Sequence, residues 1–304
     1  LLPIATKILE VDEQLLPPII DKLEKDERIV RFDLPVQGAP TPFIWFKPYF
    51  MAEVGIAREL ERIRNSPGRL RSIEIDKAVK WVQEKLGIEL AENQSHAVAL
   101  SFVGKLHIIT GGPGTGKSTI TKAILTIAQQ LTDKILLAAP TGRAAKRMSE
   151  TSGREAKTIH RLLEMGYATD SEELQFMKNE EDPITADVII IDEVSMVDVL
   201  LMYSLLRAIK PGTRLILVGD SDQLPSVGAG NVLKDMIDSN VINVVRLNEI
   251  FRQARESMIV VNAHKINKGE PLFLNSKGKD FFFLRKGTNE EVIEEIVGLV
   301  SERL

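Results

Sequence analysis

Cysteine is absent from all 304 positions, which excludes disulfide scaffolds, thiolate zinc sites, iron–sulfur clusters and cysteine nucleophiles. That absence suits a reducing compartment, so a cytoplasmic location is expected. Histidine is scarce: His96, His107, His160 and His264 lie far apart in the chain, and no local spacing resembles a transition-metal site. Aromatic residues make up only 5%, and no apolar run approaches the ~20 residues that span a bilayer. A membrane partner is therefore not expected. Positive charge is also in deficit, with 39 Lys and Arg against 43 Asp and Glu, which argues against a surface coated for non-specific nucleic-acid binding. The first residue is Leu1 rather than methionine, so the chain reads as a fragment.

The mean charge conceals two opposed blocks. Between Lys134 and Arg161 the chain carries a net +5, and between Asp170 and Asp198 a net −9. Taken alone, the first block is equally a solvated helix face or a polyanion surface.

Residues 1–70 read as a helix, two short strands (Arg28–Leu34 and Pro42–Lys47) and a second helix from Met51 to Arg64, a small winged-helix-like module able to touch DNA or a protein partner. Its Phe43, Trp45 and Phe46 read as packing residues. A helical connector follows over 71–90. From 91 to 270 the pattern changes: nearly continuous apolar runs, Leu106–Ile109, Ile135–Ala139, Val188–Ile191 and Leu215–Val218, alternate with helical stretches. Parallel strands buried on both faces read this way, so the expected fold class is α/β with a doubly wound parallel sheet. Ligands of such sheets bind at the carboxyl ends of the strands, where each run here stops in small or polar residues.

Gly111-Gly112-Pro113-Gly114-Thr115-Gly116-Lys117-Ser118 fits the phosphate-loop pattern G-x-x-x-x-G-K-[ST], placed after one of these strands and before a helical stretch that opens with Thr119. At average residue usage the pattern alone arises in roughly 1% of chains this long, and the context makes chance rarer still. Glycines let consecutive N–H groups face phosphate oxygens, Lys117 brings a charge for the β- and γ-phosphates, and Ser118 brings a hydroxyl for Mg²⁺. ATP with magnesium is the expected cofactor pair. Asp192 and Glu193 end a buried run; the first can hold the metal through water and the second can accept a proton from the attacking water. Surface carboxylates capping the next helix are the alternative.

Together with Gly111–Thr119, the segments Asp192-Glu-Val-Ser-Met-Val-Asp198, Leu215–Gly230 and Leu247-Asn-Glu-Ile-Phe-Arg252-Gln253 resemble the RecD-type helicases of superfamily 1, which include the alpha subunit of exodeoxyribonuclease V and its stand-alone relatives. The resemblance covers roughly Gly87 to Leu304. It implies a RecA-like P-loop NTPase lobe and an ATP-dependent DNA helicase moving 5′ to 3′ on single-stranded DNA towards a duplex junction. It also implies residue roles: Gln223 sensing the γ-phosphate, Arg252 as arginine finger and Gln94 reading adenine N6 and N7. For DNA it implies Thr141, Gly142, Arg143 and His160, with His160 equally a packed core histidine. A polar stretch at about 164–184 stands where the family carries a strand-separating hairpin, with a plain loop as the alternative.

Only 52 residues follow Arg252. A second RecA-like lobe needs about an ordinary domain, so 271–304 reads as its start, with Asp280–Leu284 as its first strand and Glu290–Arg303 as its first helix. This chain alone is expected to bind nucleotide weakly, hydrolyse it slowly and not unwind. Two competitors remain: another P-loop ATPase of the AAA type, and a non-catalytic, nucleotide-gated subunit that binds DNA or protein.

Overall fold

The computed structural model describes the chain except residues 37, 168–173, 250–255, 275–279 and 304, and the side chains of 167, 174 and 303. Its contacts divide it into two units, one formed by Leu1–Gly111 with Lys117–Leu247 and one by Gly112–Gly116 with Asn248–Leu304.

The first unit is organised by alternation along its apolar strands. These are β3 (Leu106–Gly111), β4 (Ile135–Ala139), β8 (Val188–Ile191) and β9 (Arg214–Gly219). Leu106, Ile108, Ile189, Ile191, Leu215 and Leu217 enter one core, while Ile109, Val188, Ile190, Ile216 and Val218 enter the other. Successive strand side chains point to opposite faces, and here both faces are dry, which explains why the runs are apolar but for His107. Two edge strands complete the sheet, β5 (Ala156–Thr158) and β10 (Asn243–Leu247). All pairings are parallel, in the order β10-β3-β9-β8-β4-β5. Counting the five long strands along the chain gives 5-1-4-3-2, the RecA-like arrangement, in which the loop after the first strand opens where the strand order reverses.

One face is covered by α4 (Ile75–Leu86), α5 (Glu92–Val103) and α6 (Lys117–Ala128). The other is covered by α3 (Lys47–Asn65), α9 (Val199–Arg207) and α10 (Val232–Asp238). Helix α3 buries Ala52, Ile56, Leu60 and Ile63, spaced three or four apart on one stripe. Gly55 lets it approach α9, since a Cβ there would collide with the Tyr203 ring. Arg62 donates to the carbonyls of Leu206 and Ile209 at 3.0 and 2.8 Å, at the C-terminal end of α9. This differs from the expected 1–70 module, because α3 shares the core of the sheet domain. The preceding elements are α1 (Leu2–Leu9), α2 (Leu16–Lys25) and the antiparallel hairpin β1 (Ile29–Val36) and β2 (Ala39–Phe46). Trp45 packs between Phe43 and Phe50, while Phe46 is 53% exposed. A second small hairpin, β6 (Met165–Tyr167) with β7 (Leu174–Phe176), falls in the 164–184 stretch.

The second unit carries α11 (Met258–Asn267) and α12 (Asn289–Arg303). The division falls at Leu247 rather than at residue 270. Asp280–Leu284 is not a strand, contrary to expectation. A strand requires a neighbour, and among the described residues none pairs with it. Asp280 instead caps α11, accepting from the Ser257 hydroxyl at 2.5 Å and the Met258 N–H at 3.1 Å.

His107, 1% exposed inside β3, carries a testable consequence. Burial pushes its imidazole down to about 4, outweighing a backbone contact at Asn243. The unfolded chain therefore binds the extra proton between pH 6.5 and 4. Stability is full above that window and falls through it by about 3 kcal/mol, at 1.36 kcal/mol per unit. Urea unfolding at pH 7 and pH 4.5 should show this loss in the wild type and a clearly smaller one in His107→Leu; equal pH slopes in the two proteins contradict the assignment.

Candidate nucleotide site

Strand β3 ends at Gly111, and the segment Gly112–Gly116 leads directly into α6 at Lys117. Gly114 and Gly116 have φ of 74° and 86°, conformations that strain any residue with a Cβ. Three consecutive carbonyl oxygens at the start of the loop have side-chain partners. Lys117 Nζ donates to Gly111 O, buried Thr115 donates through Oγ1 to Gly112 O at 2.8 Å, and His264 Nε2 lies 3.0 Å from Pro113 O. Side-chain contacts at three consecutive carbonyls fix the start of the loop, and a glycine-rich turn leading into a helix N-terminus favours an anion. His264 belongs to α11 and lies 151 residues from Pro113, so no local sequence signal could reveal it.

Around Lys117 the first unit collects charge. Burial lowers the affinity of its ammonium for a proton, opposed in order by Asp220, Glu193 and Asp192 and reinforced by Arg147. Burial likewise raises the Asp192 carboxyl, against the Glu193 backbone N–H, Lys117 and Arg147. Glu193 is raised first by burial and then by Asp192. Asp192 leaves the end of β8 with its N–H on Ala138 O at 2.9 Å, and its Oδ1 accepts the Glu193 N–H at 2.9 Å. Glu193 sits at φ 54°, a left-handed conformation that costs a non-glycine residue about 1 kcal/mol or more. Asp220, 2% exposed, accepts the Asp222 N–H at 3.1 Å and so shapes the loop after β9. Thr110 Oγ1 accepts the Ser221 N–H at 3.1 Å, tying that loop to the end of β3. Gln223 is exposed, with Oε1 3.5 Å from the Ser195 hydroxyl, so Asp192, Glu193 and Gln223 occupy neighbouring strand ends.

Ser118 is exposed and Thr119 half-buried in the first turn of α6. Gln94 is 3% exposed at the start of α5, where its Oε1 accepts the Ala91 N–H at 3.0 Å. Thr141, after β4, caps α7 (Gly142–Ser152) by accepting the Ala144 N–H at 3.2 Å, and Gly142 and Arg143 are exposed beside it. Lys146 and Arg147 extend that basic face one turn further. His160, in α8 (Ile159–Leu162), is half-buried with its ring 5.7 Å from Phe176 of the small hairpin. Arg252 lies outside the described residues. No group of three acidic or histidine side chains suited to a metal occurs among the described residues. Magnesium beside phosphates needs no such group, since it takes one or two protein oxygens and fills its octahedron with water and phosphate. The exposed Ser118 hydroxyl and the Asp192 carboxylate, whose Oδ1 alone is engaged by the backbone, fit that modest demand.

A family model described as an AAA domain matches residues 94–229. The chain is similar to the ATP-dependent RecD2 DNA helicase of Deinococcus radiodurans, 42% identical over 189 residues that cover 62% of this chain and 25% of the relative. It is 35% identical over 231 residues to the RecBCD enzyme subunit RecD of Haemophilus influenzae, covering 66% of this chain and 35% of the relative. Among solved structures, the Pif1 helicase from Candida albicans overlaps 60% of this chain and 45% of its own at 24% identity and a TM-score of 0.45. The sheet order and the loop after β3 define the class, an α/β RecA-like P-loop fold. Within that class the chain is similar to the RecD-type proteins. It spans about a quarter to a third of the length of these curated relatives.

The contact between His264 and the loop is testable by exchange of volume. A Cβ at Gly112 would lie 2.7 Å from His264 Cε1. Gly112→Ala should weaken binding of a fluorescent ADP analogue by about tenfold, in line with the ~1–3 kcal/mol of overpacking. Adding His264→Ala should restore part of that loss. A double variant no better than Gly112→Ala alone would show that the ring does not confine the loop.

Proposed function

We propose that this chain is the ATP-hydrolysing segment of a DNA helicase that moves 5′ to 3′ along a single strand. The supporting observation is the placing of Lys117 among Asp192, Glu193 and Asp220 at the carboxyl ends of adjacent strands, with the basic face Arg143–Arg147 beginning at the next strand end. The names of the RecD2 and RecD relatives point the same way.

In this reading Lys117 leaves Gly111 O and pairs with the β- and γ-phosphates, a short reorientation for a flexible side chain that burial makes eager for a counter-charge. Glu193, whose carboxyl burial and Asp192 raise, takes the proton from the attacking water. Gln223 bridges the same water and the γ-phosphate, since an amide both donates and accepts. Arg252 supplies the finger that spreads over the transferring phosphoryl group. Ser118 and Asp192 would hold magnesium, which would supply positive charge beside the phosphates. Gln94, at the start of α5, reads the adenine base.

Thr141, Gly142, Arg143 and His160 grip the unpaired strand. The hairpin β6–β7, which His160 supports through Phe176, stands at the duplex junction. Stacking opposes separation by about 1.4 kcal/mol per base pair, so the wedge depends on the motor. Residues 1–46, whose hairpin exposes Phe32 and Phe46, provide the surface for a protein partner. No helix among the described residues is long and apolar enough to cross a membrane, and a cytoplasmic place beside DNA is part of the proposal.

ATP turnover of the parent protein with and without single-stranded DNA tests this reading. Strong stimulation is expected, with a loss of at least about 10²-fold in Lys117→Ala, the scale for removing one group that stabilises transition-state charge. A nucleotide-gated binding subunit would show neither effect, and that outcome would overturn the proposal.

A further inference from the structure

The edge of the sheet opposite the nucleotide loop holds a second concentration of charge, and its sign is uniform. Lys105 immediately precedes β3, Arg214 opens β9 and Asn243 opens β10, so the parallel sheet brings all three to its amino edge. With Arg64 from the end of α3 and Arg71 from the segment after it, they line a cavity of about 390 Å³. Its wall contains four cationic side chains and no carboxylate.

None of the four makes an ion pair among the described residues. Arg214 is largely buried beneath this cavity; it donates to the carbonyls of Ser101 and Gly104 and stacks 5.6 Å from the Phe102 ring. Its Nε is buried without a partner. Burial alone pushes the guanidinium down to about 10. Arg64 and Arg71 are likewise held by carbonyls, those of Val241 and Gln130, at 3.0 and 3.4 Å. Carbonyl contacts fix the direction of a guanidinium without cancelling its charge, and low-dielectric walls focus the field of the group into the cleft. In a chain of net charge −4, four uncompensated cations around one concavity mark a binding site for an anion. Guanidinium forks and an ammonium favour the tetrahedral oxygens of phosphate.

We propose that this cleft is a phosphate-binding site, separate from the nucleotide loop, that takes either a backbone phosphate of nucleic acid or a free phosphorylated molecule. It stands on the charges themselves and not on the helicase reading.

Amide NMR spectra of the deuterated full chain, recorded with saturating ADP, give a site-resolved test. Titration with inorganic pyrophosphate should shift the amides of Gly104, Lys105 and Asn243. The substitutions Arg71→Gln, at an exposed position, and Lys105→Gln, at a half-buried one, which leave Arg214 in place, should weaken that binding by about tenfold together. Lys22→Gln with Lys25→Gln, an equal change of charge elsewhere, should leave it unaltered. A single-stranded oligonucleotide supplies the second arm. If nucleic acid is the source, the double variant should also flatten the dependence of log affinity on log salt by about 0.7 for each phosphate that the protein no longer neutralises. Pyrophosphate shifts with an unchanged oligonucleotide slope assign the cleft to a small phosphorylated molecule. Absence of shifts at these amides with both probes, or shifts that survive the double variant, overturns the proposal, whether or not the parent hydrolyses ATP.

Discussion

Everything functional in this molecule depends on a sheet that is dry on both faces. Side chains along β3, β4, β8 and β9 have no solvated face on which to place polarity, so, His107 apart, the groups able to do chemistry are forced to the strand ends. Parallel strands put like ends together, which gathers residues remote in sequence. Lys117, Asp192, Glu193 and Asp220 feel one another for this reason. The same dryness sets their character: burial disfavours the charged form of Lys117 and of both carboxyls, and each partly offsets the cost of the other. Such a mixed, half-desolvated cluster suits a ligand that brings both signs of charge at once.

The two edges of the sheet carry different electrostatics. At the carboxyl edge, acid and base are interleaved; at the amino edge, Arg64, Arg71, Lys105 and Arg214 face a cavity without a carboxylate. Six residues of β3 separate Lys105 from the nucleotide loop, roughly 20 Å of strand. That exceeds the ~8 Å screening length at physiological salt. The acids at one edge therefore cannot neutralise the cations at the other, and each edge has to find its counter-charge locally.

Legibility in the sequence follows the number of neighbours each segment has. The four central strands, flanked on both sides and covered on both faces, show as unbroken apolar runs and sit within a residue or two of where the runs place them. The edge strands are not legible: Ala156-Lys-Thr158 and Asn243-Val-Val-Arg-Leu247 keep polar residues because one side of an edge is wet. Asp280-Phe-Phe-Phe-Leu284 looks like a strand by the same measure and is none, since apolar content without a partner leaves the backbone unpaired. Helix α3 reads as part of a separate module because periodicity reports that a helix has a buried stripe and not what covers it; Tyr203 and the carbonyls after Leu205 are what Gly55 and Arg62 meet.

For the site, the loop from Gly111 to Ser118 and the pair Asp192-Glu193 are legible because the chemistry fixes residue type and spacing within one stretch of chain. What supports them is not. Thr110 joining the β9 loop, Asp220 shaping it and His264 resting on Pro113 are long-range contacts with ordinary residues. His264 bears most directly on mechanism. It lies on α11, just after the segment that holds Arg252, so the helix that follows the expected arginine finger also touches a carbonyl of the phosphate loop. A change of loop conformation as phosphate enters or leaves must then alter the hydrogen bond at Pro113, and α11 is the element that receives it. A side-chain bond to a loop carbonyl contributes only about 1 kcal/mol, too little to drive motion by itself.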